Sequence, residues 1–339
     1  MKNVLFLIIF LGIPLISCSS GEGGRIESTS PLNTDTDIVG GTPIYLADPT
    51  IFHDVDNSYY LYGTSSNNGF VTYMSKDLRN WTGPCGKIDD SYVLSKNTSF
   101  GESDFWAPQV FKYGNKYYMA YCTASNVNKS SQHISIAGGD SPKGPFSQKS
   151  KSCFPASCQE IDPFVFFDED GKVYLYYVKE IDSNAIYVTQ LNSTLDSLDE
   201  TTTTLCVKSA STGWENVKKN SWSVAEGPTV IKKDGKYFLF YSANDYTYSE
   251  YAVGYATASS PFGPWIKHSN PLLNYTMINA NGTGHGDVFT DTIGNIWYVF
   301  HTHNSLSQVN PRRTAVIQLQ YSNGEFSVLP ETFRYLYSR

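Results

Sequence analysis

The sequence is short of charge. Only 17% of its 339 residues are Asp, Glu, Lys or Arg, against roughly 25% in an average soluble domain. The charge it has shows no basic excess: 25 Lys and Arg face 32 Asp and Glu, for a net −7. That excludes the basic face a nucleic-acid partner would need. A Gly-X-Y period and sustained heptads are both missing, so collagen and coiled coil are excluded. Cysteine is sparse, six in all, and none has the Cys-x-x-Cys spacing of a zinc site. A convincing amphipathic helix is lacking as well.

The first apolar run, Val4 to Ile16 behind Lys2, is too short to cross ~30 Å of hydrocarbon comfortably. It reads as a signal peptide over residues 1–17. Its end, Leu15-Ile16-Ser17-Cys18, resembles a bacterial lipobox, with cleavage before Cys18 and lipid on the Cys18 sulfur. Residues 18–42, Gly- and Ser-rich from Ser19 to Ser30, then read as a flexible tether. A lipidated Cys18 would anchor the protein to a membrane of the bacterial cell envelope without a spanning helix. Without the lipid it would be secreted. Export permits disulfides, and Cys153 and Cys158 are close enough in sequence to pair across a short loop. Cys122, inside an aromatic strand pattern, reads as a buried thiol.

Aromatic residues are abundant: 25 Tyr, 19 Phe and 6 Trp make 15% of the chain. Disorder is excluded, since disordered chains lack the aromatic surface that offsets chain entropy. Many of these residues belong to one repeated pattern. Asp48-Pro-Thr-Ile-Phe-His-Asp-Val-Asp-Asn-Ser-Tyr-Tyr-Leu-Tyr62 is echoed from Ala107 to Tyr121, Asp162 to Tyr177, Gly227 to Tyr241 and, more loosely, His285 to Phe300. Each copy has two β-branched and aromatic runs around an Asp, Asn or Gly turn, which is the signature of a β-hairpin. A proline precedes the first run in four copies, where no ladder donor is lost. Further strand patterns lie between copies, at 69–75, 134–138, 185–191, 252–258 and 314–319. About four antiparallel strands per copy, repeated five times, predict an all-β chain folded as a single five-bladed β-propeller over residues 43–339.

The innermost strands of such a ring line a shared channel, so equivalent positions meet around one axis. The residue before the repeated proline is Asp48, Ala107, Asp162, Gly227 and His285 in turn, and Glu226 stands one residue before Gly227. Three acids and a histidine therefore converge on one end of the channel. Crowded carboxylates raise each other's pKa and cost stability. Asp-Pro and Glu-Gly-Pro are also ordinary loop punctuation, but three at corresponding positions point to a site. The hairpin-turn acids Asp54, Asp56, Asp168, Asp170 and Asp234 read instead as solvated turn residues.

Ala47-Asp48-Pro49, Phe105-Trp106-Ala107-Pro108, Ile161-Asp162-Pro163-Phe164, Glu226-Gly227-Pro228 and Gly284-His285-Gly286 together resemble the blade motifs of family 43 glycoside hydrolases. The similarity runs in the family's order over nearly the whole chain after residue 42. It implies an inverting glycosidase in which Asp48 is the general base, Glu226 the general acid, and Asp162 the group that tunes and orients Glu226. Inversion requires acid and base roughly 6.5–9.5 Å apart, with room for a water. The resemblance further implies a terminal furanosyl or pentosyl substrate, an α-L-arabinofuranoside first. β-D-Galactofuranosidase, β-xylosidase and endo-arabinanase activities are the alternatives in the same fold. An Asn-Asp-Pro-Asn start, expected of a retaining relative, is absent.

Trp106 and Trp222 are placed as stacking faces for sugar at the channel mouth, whereas Phe105 and Trp297 read as core. His285 lies in a Gly-rich segment where the family often has a histidine beside channel calcium or water, so a structural Ca2+ is an expectation and no cofactor is required. The family's substrate-contacting arginine falls on Arg312 or Arg313, with Arg313 preferred. His301 and His303 have no carboxylate in metal-ligand spacing. A non-catalytic glycan-binding propeller is the other class of function, and a monomer acting on polysaccharide or oligosaccharide is the expected state.

Overall fold

The five hairpins predicted from the repeat are all present in the computed structural model, which describes residues 41–125, 128–148 and 153–339. The innermost strands are Ala47–His53, Ser103–Tyr113, Gln159–Phe167, Ala225–Lys233 and Gly284–Thr290. Each pairs antiparallel with the strand that follows it. The inner strands neighbour one another in chain order, and the fifth returns to the first. Five small antiparallel sheets thus form a ring, a five-bladed β-propeller.

Blades three, four and five have four strands each, while blade two has three among the described residues. The first blade is larger because the chain ends meet in it. Thr42–Pro43 pairs with Tyr337–Ser338, and Ser338 bridges to Trp81 of the first blade. The only α-helix among the described residues is the single turn Tyr275–Ile278, consistent with the lack of helical periodicity. Cys18, the leader and nearly all of the tether lie outside the described residues.

The repeated aromatics fill the spaces between blades. Tyr62, Tyr121, Tyr176, Tyr241 and Tyr298 are all fully buried. Burial of one large apolar side chain contributes roughly 1.5–3 kcal/mol, so each of these tyrosines strengthens the packing of its blade. Phe105 and Trp297 are buried as expected. The five described cysteines are free thiols, which corrects the proposed Cys153–Cys158 bridge: proximity in sequence does not put the two sulfurs in bonding geometry.

Two of the acids expected in solvent are not there. Asp54 accepts the Tyr117 hydroxyl at 2.8 Å from the next blade, with Lys112 3.9 Å away. Asp168 likewise accepts the Tyr237 hydroxyl and an ion pair from Lys232 at 2.9 Å. Each links its hairpin to a Lys and a Tyr at matching places in the following blade. Single-hairpin reasoning missed this because the partners belong to another repeat. Asp56, Asp170 and Asp234 are exposed.

One backbone device repeats around the ring. Asp48, Ala107, Asp162, Gly227 and His285 have φ of 47°, 47°, 56°, 60° and 43°. At each the pairing register slips, so each blade carries a β-bulge where its inner strand enters the channel. The bulge turns the side chain off the sheet and releases one backbone N–H from the ladder. The preceding blade takes up that N–H. Ala107 donates to Thr64 Oγ1 at 2.9 Å, His285 to Ser242 Oγ at 2.7 Å, and Asp48 to His301 Nδ1 at 3.1 Å. The Asp162 N–H goes to the Cys122 thiol.

Thr64, Cys122, Ser242 and His301 occupy one register position, opposite the residue before the bulge. In blade three that position is Val178, opposite Ile161, which cannot accept. The Gly227 N–H of blade four goes instead to Asp162 Oδ2 at 3.0 Å.

Candidate active site

The bulges deliver their side chains to a cavity of about 430 Å³ on the face where the inner strands begin. Asp48, Asp162, Glu226, His285, Trp106 and Trp222 all line it. Acids from blades one, three and four, far apart in the chain, thus share one pocket. Asp48 Oδ1 and Asp162 Oδ2 face the same His285 Nδ1, at 3.4 and 3.9 Å.

Glu226 comes one residue early in its blade, and the packing explains why. A Cβ on Gly227 would lie 2.8 Å from the His285 ring, which leaves no room in this blade for the side chain that the other four blades carry at a similar φ. With the bulge position reserved for glycine, the acid is supplied by the residue before it. Glu226 Oε1 accepts the Tyr251 hydroxyl at 2.7 Å, and Oε2 accepts Asn184 Nδ2 at 3.2 Å. Asn184 Oδ1 in turn accepts the Trp222 indole N–H at 2.8 Å. Tyr251 is buried against the His301 ring, with centroids 5.7 Å apart.

The two outer carboxylates are driven in opposite directions. Burial by itself would raise the pKa of Asp48, but the Arg312 guanidinium, 3.2 Å from Oδ1, overrides it and holds Asp48 well below the ordinary carboxylate range. Glu226 is pushed up to about 7, first by burial and then by the charge of Asp48. Asp162 is also lifted well above its ordinary value, by burial first and then by Glu226 and Asp48. Asp162 and Glu226 therefore hold a proton between them near neutrality and titrate as a pair. Burial, more than an anionic Asp162, is what raises Glu226. Burial also lowers the pKa of His285 and His301, so both rings are neutral.

Arg312, not Arg313, is the arginine of this pocket. Arg313 donates to the Tyr337 hydroxyl at 2.8 Å and lies 3.5 Å from the Tyr335 ring centre, on the outside of the blade. Arg313 begins the strand Arg313–Ser322 and Arg312 lies just before it, and the two side chains go to different sides. The Arg312 guanidinium also sits 4.6 Å over the Tyr246 ring. Trp106 is half-buried against the core, and Trp222 is 45% exposed. Both line the cavity.

Sequence reasoning missed Asn184, Tyr251, Tyr246 and the role of His301. None lies in a repeated motif. The one available signal was the register position shared by His301 with Thr64 and Ser242. His285 is where a water-liganded calcium was expected. Among the described residues no three His, Cys, Asp or Glu side chains converge as metal ligands, and the His285 nitrogen faces Asp48.

The arrangement can perform paired acid–base chemistry: one carboxylate held ionised and one poised to carry a proton, in a pocket with aromatic walls. The family profile described as "Glycosyl hydrolases family 43" matches residues 42–326. A solved structure described as an endo-1,4-beta-xylanase from Bacteroides thetaiotaomicron superposes with a TM-score of 0.78 at 35% identity, covering 89% of this chain and 99% of that one. An extracellular exo-alpha-(1->5)-L-arabinofuranosidase of Streptomyces avermitilis is 24% identical over 95% of this chain and 68% of its own length. A beta-D-galactofuranosidase of Aspergillus niger is 26% identical over 51% of this chain and 46% of its own length. The chain spans about half the length of this and several other curated relatives it matches.

Proposed function

The chain belongs to glycosyl hydrolases family 43, and from that premise we propose that it cleaves O-glycosyl bonds in arabinose- or xylose-containing polysaccharides, with inversion. The terminal α-L-arabinofuranoside is the first candidate substrate. The observation that carries this reading is the opposed pair in one cavity: Asp48 held ionised by Arg312, and Glu226 raised to about 7 by burial.

In the proposed reaction a water attacks the anomeric carbon from the side of Asp48, which takes its proton. Glu226 gives a proton to the glycosidic oxygen as the bond to the leaving group breaks. The products are a free sugar of inverted anomeric configuration and the shortened chain. Asp162 shares a proton with Glu226 and, fixed by the Gly227 N–H, orients it. Tyr251 and Asn184 hold the two Glu226 oxygens, and Trp106 and Trp222 offer faces for the sugar. Acid and base supplied by different blades suit the separation inversion needs.

Relatives named for galactofuranose, arabinan and xylose substrates support the pentosyl or furanosyl class and leave the individual sugar to experiment. Relatives described as extracellular support action outside the cytoplasm. We include in the proposal a monomer tethered through a lipid on Cys18.

The test is a panel of aryl glycosides and arabinose-, xylose- and galactofuranose-bearing polymers, with NMR of the first-formed anomer. Hydrolysis of a pentosyl or furanosyl member with inversion is the expected result. Binding without release of any reducing sugar would establish the glycan-binding propeller instead, and retention would overturn the assigned roles.

A further inference from the structure

One acid enclosed by the ring has no part in the proposed reaction. Asp287 stands two residues after the bulge residue His285, the place held by Thr50, Gln109, Phe164 and Thr229 in the other blades. It borders a narrow cavity of about 30 Å³ lined by all five inner strands, and it does not border the 430 Å³ pocket. A space of that size has room for about two waters and none for a sugar, so Asp287 does not touch substrate.

Its carboxylate joins three blades. Oδ2 accepts the Thr50 hydroxyl of blade one at 2.6 Å, and Oδ1 accepts the Thr229 hydroxyl of blade four at 2.7 Å. Both threonines are buried, so neither hydroxyl can turn to bulk water instead. At the same level Gln109 bonds to the N–H and carbonyl of Val165 in blade three, at 2.6 and 3.2 Å, and the Phe164 side chain offers no hydrogen bond. Blades four, five and one are thus tied together here through a single side chain.

The two threonines hold particular places. The ladder slips at the bulge, between Ala47 and Thr50 in blade one and between Glu226 and Thr229 in blade four. Thr50 and Thr229 are the first residues paired again after it. The stretch that carries Asp48 and the stretch that carries Glu226 therefore each end on an anchor to the same carboxylate. Base and acid in an inverting reaction must keep a separation of roughly 6.5–9.5 Å, and misplacement by ~1 Å can cost about 100-fold in rate. We infer that Asp287 is a positioning residue for catalysis: through Thr50 and Thr229 it fixes the spacing between the strand of the base and the strand of the acid.

This inference rests on the glycosidase reading, and the choice of leaving group separates the two anchors. A 4-nitrophenyl glycoside and a linked trisaccharide of whichever terminal sugar the panel selects are compared in the full-length chain. Every substrate needs the water activated by Asp48, whereas a nitrophenolate departs without the proton of Glu226. Thr50→Val cuts the anchor of the base and should lower kcat by roughly 10-fold on both substrates, with KM little changed. Thr229→Val cuts the anchor of the acid and should lower kcat about as much on the trisaccharide but far less on the aryl glycoside. Thr50→Ser and Thr229→Ser lose a methyl group and keep the hydroxyl, so they should retain most of kcat even where the thermal midpoint falls. Asp287→Ala cuts both anchors. It should lower kcat on both substrates, most on the trisaccharide, and it carries the comparison if a valine variant does not fold. Losses equal on the two substrates in Thr229→Val or Asp287→Ala, serine losses as large as the valine ones, or no loss at all, overturn the positioning role while the glycosidase stands. Failure of the unaltered chain on the whole panel overturns the glycosidase and the positioning role together.

Discussion

Gly227 gives its backbone N–H to Asp162 Oδ2 at 3.0 Å, the link around the ring that ends on a carboxylate of the pocket. It exists because Val178 occupies the register place where other blades have Thr64, Cys122, Ser242 or His301. An apolar residue in one blade thereby sets the orientation of an acid in the site, and that N–H opposes the rise in the pKa of Asp162.

Val178→Thr should restore an acceptor at this place and draw the Gly227 N–H away from Asp162. A lost hydrogen bond is worth ~0.5–1.5 kcal/mol, so kcat should fall roughly 3- to 10-fold while KM changes little. Val178→Ala, which removes packing but adds no acceptor, should lower the melting temperature and largely spare kcat. Equal kcat losses in the two variants would show that packing alone matters there.

Asp48→Asn and Glu226→Gln should each lower kcat by about 10²- to 10⁴-fold, the usual contribution of a positioned acid or base. They should differ by leaving group. A nitrophenolate departs without a proton, so Glu226→Gln should lose far less on aryl glycosides than on oligosaccharides. Asp48→Asn should lose alike on both, since every substrate needs the activated water. Steady-state rates on the two substrate types check this.

The pH profile should be asymmetric. Glu226 must be protonated, so activity should decline as pH rises through about 7. Asp48 must be ionised, and Arg312 depresses its pKa, so the acidic limb should lie well below the ordinary carboxylate range. Arg312→Gln removes the largest influence opposing burial and should move that limb upward. Stability follows with its own sign. Glu226 has a folded pKa raised from 4.5 to about 7; its contribution is complete below 4.5 and is lost as pH rises toward 7. That shift corresponds to roughly 3 kcal/mol. Glu226→Gln should therefore melt higher than the unaltered chain at pH 8 and nearly level with it at pH 4, by differential scanning calorimetry.

Asp168→Asn tests the links between blades. It removes the charge paired with Lys232 and weakens the bond from Tyr237, and should destabilise the protein by about 1–3 kcal/mol. Lying at the hairpin end of its blade, it should leave kcat and KM unchanged. Tyr117→Phe, which breaks the equivalent bond to Asp54, should cost about 0.5–1.5 kcal/mol.

Much of the site was legible because it is written in the repeat. Asp48, Asp162 and His285 share one bulge position, and Glu226 precedes the glycine that fills it in blade four. Trp106 is adjacent to the same position in blade two. Arg312 and Arg313 were not separable, since both fit the motif and only the tertiary structure distinguishes them. Tyr251 and Tyr246 come from a connection between strands and Asn184 from the very start of the strand Asn184–Leu191, outside the repeated motifs. Asp54 and Asp168 were misplaced because a hairpin read alone does not contain its neighbour's Lys and Tyr.

The sequence by itself determined five hairpins, their order and the ring they close, because alternating aromatics and turn residues act within a few positions of one another. Which groups surround each acid was decided only by the tertiary structure. Arg312 reaches Asp48 across 264 residues of chain, and Asn184 joins Trp222 to Glu226 from another blade. Charge and burial act through space, so protonation is set by neighbours that the chain brings together only when the ring is complete.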